Sequence, residues 1–180
     1  AELKQWVGRG RWHITGSSWD ANETMVCSPE AWIRNILLGQ TFYRQEFGKE
    51  GTDVFLPDCF GFPYTLPTLA SHCGLIGFSS QKLAWRARPF YPGNKRYPFS
   101  MGLWKGIDGS QIMMVHGFGY ADRYPDIDLS NHRRLWEEAG ESPLGIAYRY
   151  YGTGDIGGSP TLSSVRAVEK GLKGNGPVKI

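Results

Sequence analysis

Apolar positions along the chain fall into short runs separated by one long stripe of helical spacing. Between Ser28 and Gly48, the residues Trp32, Ile33, Ile36, Leu37, Tyr43 and Phe47 recur as one helix face requires. Ser28 is placed as an N-cap, Pro29 suits the first helical position, and Gly48 ends the pattern. The run Val54-Phe55-Leu56 predicts a short buried strand that stops at Pro57-Asp58. Leu66 to Cys73 predicts a short helix, opened near Pro67 and closed by Gly74. Leu75 to Ser79 then begins another strand that runs on toward Gln81-Lys82-Leu83. Upstream, Arg11 to Trp19 (RWHITGSSW) predicts a strand ending in a turn of small residues. Strand, helix, strand, helix, strand in this order implies parallel crossovers and hence the α/β class, as a sheet or a barrel.

The second half departs from that alternation. Arg86 to Pro98 mixes proline, glycine and basic residues without a period, which predicts a surface loop. Phe99 to Trp104 and Gln111 to Val115 flank Gly106-Ile107-Asp108-Gly109, a hairpin signal. His116 to Leu129 reads as a polar and aromatic loop, and Ser130 to Ala139 as a helix with Ser130 as its N-cap. Gly145 to Tyr151 predicts a strand, Ser159-Pro160 a helix start, and the tail GPVKI the beginning of a further strand. The expected architecture is a partial (β/α) barrel with parallel strands and a hairpin-like excursion around 99–115. Residues 1–180 are expected to form a single segment, incomplete at both ends, of a larger catalytic domain.

Composition narrows the function without fixing it. Seven Trp, nine Tyr and nine Phe fit a large core or a cleft whose aromatic faces stack on sugars. The formal charge is +3 and the basic residues are scattered, which gives no footprint for nucleic acid. Three cysteines without a C-x-x-C spacing argue against a disulfide framework or a thiolate zinc site. No apolar run is long enough for a membrane span.

The candidate chemistry lies at strand ends. Asp58 and Asp155 each follow an apolar run, and each precedes a glycine-containing turn and a proline-started helix. In a parallel sheet or barrel the strand C-termini share one face, so two such carboxylates could meet across one cleft. Glycoside hydrolysis needs such a pair, one as nucleophile or base and one as acid. The bland alternative is two turn or N-cap aspartates held by nearby backbone N–H groups. An ammonium on Lys82 that reached Asp58 would favour its charged form, although a solvated surface lysine fits the same position. The spacing Gly152-Thr-Gly154-Asp-Ile-Gly157 also resembles a dinucleotide loop, but Asp155 inside the turn would oppose a pyrophosphate. His13, His72, His116 and His132 show no metal-ligand spacing. His116, in a loop beyond a strand, is the best placed of them to be a ligand.

The segments LPDCFGFPYTLP and SSQKLAW together resemble the nucleophile-strand region of glycoside hydrolase family thirty-eight, the retaining α-mannosidases. GRWHITGSSW, SPEAWIRNILLGQTFYRQEFG, LWKGIDGSQI and YGTGDIGGSPT extend the resemblance in the family's order, from about Gly10 to the end of the chain. It implies the N-terminal α/β barrel of that family and hydrolysis of terminal α-mannosidic bonds in glycans by a retaining, zinc-assisted mechanism. By the same resemblance Asp58 would be nucleophile and zinc ligand, and Asp155 the acid/base. Phe60 and Lys82 would line the substrate pocket, with Trp19 and Tyr120 as sugar contacts. The family's early His-x-Asp zinc pair does not occur in these residues. The other ligands, and the rest of the site, are therefore expected from the remainder of the same polypeptide. The competing reading is a non-catalytic, mannosidase-like carbohydrate-binding protein. The chain by itself is expected to bind zinc poorly and to leave an aryl α-mannoside uncleaved during a zinc titration; clear turnover would refute this.

Overall fold

The structure is a computed structural model that describes residues 2–84, 100–116 and 122–180. The expected loop over 86–98 and the candidate Tyr120 lie outside the described residues. The described residues divide into two compact units. The first holds the chain as far as Leu83 together with Gly102–Val115. The second is built mainly from the chain after His116.

The fold is α/β, as expected. In the first unit the elements are α1 (Glu2–Gly8), α2 (Pro29–Phe47), β1 (Asp53–Phe55), α3 (Leu66–His72) and β2 (Gly77–Ser80). They are followed by β3 (Met101–Lys105) and β4 (Gln111–His116). The sheet is open, with the order β1-β2-β4-β3. β1 and β2 pair in parallel, with Val54 opposite Phe78, and α3 forms the crossover between them. The expected hairpin is present: Gly106 N donates to Ser110 O at 2.8 Å, and a connection this short joins neighbouring strands antiparallel. Phe78, buried in the middle of the sheet, receives the rings of Phe62 and Trp104 edge-on at 4.9 and 5.2 Å.

Local chemistry explains where α2 begins and how it delivers the chain to β1. Ser28 Oγ accepts from Ala31 N at 3.2 Å, and Gly48 ends the helix with φ +63°, a conformation open to glycine. The buried Gln40 amide then clasps the incoming backbone. It donates to Gly51 O at 2.6 Å and accepts from Gly51 N at 2.9 Å.

RWHITGSSW is not a strand. Its polar groups go to side chains and to α2 instead of a ladder. Gly16 N donates to Asp53 Oδ1, Tyr43 Oη to Thr15 O, and Trp19 N to Asn35 O. The helix α1 has too short an apolar pattern, Leu3, Trp6 and Val7, to stand out in the sequence.

The second unit contains α4 (Arg133–Glu141) and α5 (Leu162–Lys173) around Leu129, Leu135 and Ala167. α4 starts three residues later than its expected N-cap, because Asp128 caps a 3-10 turn over Leu129–Asn131 and His132 caps the helix. Ser130 is buried and its hydroxyl accepts from Gly176 N at 3.0 Å. α5 starts after Thr161, whose hydroxyl accepts from Ser164 N, and not at Ser159-Pro160. Residues 145–151 make one isolated bridge, Tyr151 to Asp122, in place of the expected strand. Arg149 explains the difference: its guanidinium turns inward to Glu138 and Asp122, so this stretch is fixed by side-chain charge. The tail over 176–180 forms no strand; Val178 N donates to Ser130 O.

Asp108 docks the hairpin turn on α3. It accepts from Ser110 N and Oγ and from Thr68 Oγ1, and lies 2.8 Å from His72 Nε2. These contacts, Ser110 first and His72 next, hold its carboxyl well below the usual carboxylate range. A depressed folded value means that the stabilisation is complete above the unfolded value, about pH 4, and is lost as pH falls toward and through the folded one. Asp108→Asn is therefore expected to lower the melting temperature at neutral pH. Its gap from the parent should narrow in melts taken below about pH 4, and a gap that widened with acid would contradict this assignment.

Candidate functional site

The site is built at the end of the parallel pair. β1 runs into Leu56, whose N–H still bonds Ser79 O at 3.1 Å, and the chain then leaves the sheet at Pro57-Asp58. β2 runs through the buried Ser80 and Gln81 into a single 3-10 turn over Lys82–Ala84. Ser80 Oγ accepts from Lys82 N at 3.1 Å, which fixes the direction in which the lysine leaves the strand.

The two side chains meet. Lys82 Nζ lies 2.6 Å from Asp58 Oδ1 and 4.4 Å from the centre of the Phe60 ring. The lysine side chain is 9 % exposed and that of Asp58 is 65 % exposed. A nearly buried ammonium thus holds one oxygen of a carboxylate that opens to solvent, while the ring of Phe60 gives that ammonium an aromatic face. Phe60 itself is exposed. Of the six candidate site residues, Asp58, Phe60 and Lys82 form one constellation.

Trp19 and Asp155 have surroundings of their own. Trp19 is exposed in the first unit, with its ring edge-on to Phe42 of α2 at 5.4 Å. Asp155 belongs to the second unit, on an exposed turn where it adopts φ +64°. That left-handed conformation is one that aspartate tolerates better than most residues. Within the same turn Gly157 and Gly158 also have positive φ, and Thr153 Oγ1 donates to Ser159 O at 2.9 Å. Tyr120 lies outside the described residues.

Two features escaped the sequence reading. The first is the contact of Asn22, Glu23 and Thr24 with the loop that bears Asp58. The second is Arg149, which is 8 % exposed and bonded to both Glu138 and Asp122. Tyr124 joins that cluster through Asp122, and burial, followed by the Asp122 charge, pushes its hydroxyl up to about 12. No spacing signals a contact between residues so far apart in the chain.

Among the described residues no three His, Cys, Asp or Glu side chains gather where they could hold a metal ion. Asp58 offers one carboxylate, with Oδ1 already on Lys82. The described residues on their own do not make up a zinc shell. No helix among them is long and apolar enough to cross a membrane.

Comparison with known proteins identifies the family. The family model described as glycosyl hydrolases family 38 N-terminal domain matches residues 1–142. The chain belongs to glycosyl hydrolase family 38. It is 35 % identical over 171 residues to alpha-mannosidase G of Dictyostelium discoideum, a match covering 91 % of this chain and 14 % of that protein. It is 33 % identical over 173 residues to alpha-mannosidase 2C1 of Homo sapiens, covering 94 % and 16 %. A yeast (Saccharomyces cerevisiae) alpha-mannosidase is 30 % identical over 179 residues, covering 96 % and 16 %. This family 38 chain therefore spans about one-seventh to one-sixth of the length of these relatives. Among solved structures, an alpha-mannosidase from Enterococcus faecalis V583 aligns over 63 % of this chain and 12 % of its own, at 21 % identity and a TM-score of 0.48.

Asp58 is well exposed, so its ion pair with Lys82 is screened by water and contributes little to stability. Replacing Lys82 with Met keeps the buried stem and deletes the charge. In chemical denaturation the change is expected to stay within about 1 kcal/mol and to shrink further as salt is raised. A loss several times larger would show that the lysine serves the fold.

Proposed function

We propose that this chain is the nucleophile-bearing part of a family 38 α-mannosidase that cleaves terminal α-mannosidic bonds in glycans with retention. The observation that carries the reading is the exposed Asp58 carboxylate, held by Lys82 at 2.6 Å at the end of a parallel strand pair. Membership of the family and relatives named alpha-mannosidases at 30–35 % identity support it.

In this reading an Asp58 oxygen attacks the anomeric carbon of the terminal mannoside, and the bond from that carbon to the leaving oxygen breaks. Asp155, as acid, gives its proton to the leaving oxygen. It then takes a proton from water as the water attacks the anomeric carbon, which releases mannose and returns Asp58 to a carboxylate. Retention requires the two carboxyl groups to stand about 5–5.5 Å apart in the working enzyme. Lys82 holds Oδ1 and balances part of the charge, so that attack does not require Asp58 to be reoriented first. Phe60, Trp19 and Tyr120 are proposed to offer aromatic faces to the sugar.

Zinc belongs to the proposal as an ion for which Asp58 is one donor, its other ligands lying outside the described residues. Such an ion would bind sugar hydroxyls and favour distortion of the ring.

The deciding experiment is Asp58→Asn in the complete polypeptide, assayed on an aryl α-mannoside. Turnover is expected to fall by about a thousandfold or more, with the melting temperature close to that of the parent. A variant that retained most of its turnover would remove Asp58 as nucleophile. A parent that bound mannosides without cleaving them would favour the carbohydrate-binding alternative.

A further inference from the structure

Asp58 is held from one side by Lys82, and the loop that carries it has a second hold. Three consecutive residues upstream bond to the three residues that follow Asp58. Cys59 Sγ donates to Asn22 O at 2.9 Å, Phe60 N donates to Glu23 Oε2 at 3.2 Å, and Thr24 Oγ1 donates to Gly61 O at 2.8 Å. Each partner is 37 positions further along the chain, and so is Asp53, which accepts from Gly16 N at the start of β1. A constant offset over four contacts means that the two segments run side by side in register. β1 is an edge strand of the sheet, and the upstream segment lies along it without forming a ladder.

The strap is itself fixed. Glu23 O accepts from both Val26 N and Cys27 N at 3.1 Å, closing a turn, and Thr24 is buried. The approach is close: a Cβ added at Gly61 would stand 2.9 Å from Met25 Cγ. Thr24 and Met25 of the strap also line a cleft of about 220 Å³ together with Cys27, Trp32, Pro63 and Leu66. Residues 57–63 form no helix or strand, and their backbone depends on side-chain partners for its shape.

We propose that Glu23 and Thr24 are positioning residues for the catalytic loop, setting the Phe60 face and the Asp58 carboxylate through their bonds to Phe60 N and Gly61 O. This rests on the reading of Asp58 as nucleophile. Neither residue needs to touch substrate. Their effect is on how often the carboxylate stands in line for attack, so it should fall on kcat and leave KM nearly unchanged.

The test uses Glu23→Ala, Glu23→Gln and Thr24→Val in the complete polypeptide, with two readouts. One is kcat and KM on an aryl α-mannoside. The other is the rate at which iodoacetamide alkylates Cys59, followed by peptide mass analysis, which needs no turnover. Cys59 is buried against the strap, and burial, followed by the Glu23 charge, pushes its thiol up to about 11, so the parent should react slowly, and Thr24→Val, which leaves that charge in place, is the variant whose alkylation reports the hold alone. Glu23→Ala is expected to lower kcat about tenfold, to keep KM within about twofold and to speed Cys59 alkylation about tenfold. Glu23→Gln, which keeps an acceptor for Phe60 N but not the charge, should restore kcat, and any alkylation it shows above the parent measures the lost charge alone. Should Glu23→Ala fail to fold, Thr24→Val removes one hydroxyl at constant shape and carries the same expectations. Alkylation unchanged in a folded variant overturns the hold, and faster alkylation with unchanged kcat overturns its role in positioning. A parent without mannosidase turnover would overturn the catalytic reading instead, while alkylation still decides whether the strap restrains the loop.

Discussion

Parallel neighbours in a sheet finish at the same edge, and much of the candidate site follows from that constraint. Because β1 and β2 pair in parallel, the residues just beyond each strand emerge side by side. Asp58 and Lys82 are far apart in sequence, yet the crossover through α3 returns the chain so that their side chains meet at 2.6 Å. An antiparallel return would have placed them at opposite ends of the sheet. The charge pair is a consequence of topology, and its low exposure on the lysine side comes from the core on which β2 rests.

Elements whose local signals agree with their packing were legible in the chain. α2 has its serine cap, its proline and its closing glycine in the expected places, and the hairpin turn sits where Asp108-Gly109 marks it. The first strand-helix-strand unit was readable for the same reason. Failures occurred where polar side chains replaced the backbone ladder. RWHITGSSW has strand composition, but Asp53, Asn35 and Tyr43 take up its hydrogen bonds. Residues 145–151 have alternating aromatics, but Arg149 is drawn into an ion cluster. Ser130 has the residue type of a cap, but Asp128 and His132 do the capping. Residue identity shows which groups can bond; it does not show which partner the tertiary fold will bring.

The candidate site divides in the same way. Asp58 was legible because a carboxylate after a short apolar run is unusual in itself, and Lys82 because of its place beyond the next strand. Their contact, and the Phe60 ring beneath the ammonium, needed the sheet. The strap from Asn22 to Thr24 carries no local signal, since a glutamate and a threonine in a loop look solvated until the partner loop is placed beside them.

The Gln40 clasp on Gly51 has a consequence for how this domain can vary. The carboxamide takes both hydrogen-bonding groups of one backbone residue, so it fixes where along α2 the chain must turn into the sheet. Only Thr52 separates that anchor from β1, and the pairing of Val54 with Phe78 leaves no slack. A single inserted residue between Gly51 and Asp53 would rotate Val54 out of the core and Phe55 into it, carrying the nucleophile candidate to the wrong face. Length variation between α2 and the sheet should therefore be confined to the stretch before Gly51, around Lys49 and Glu50. Those two residues are already exposed, and there an extra residue can bulge outward without moving the strand.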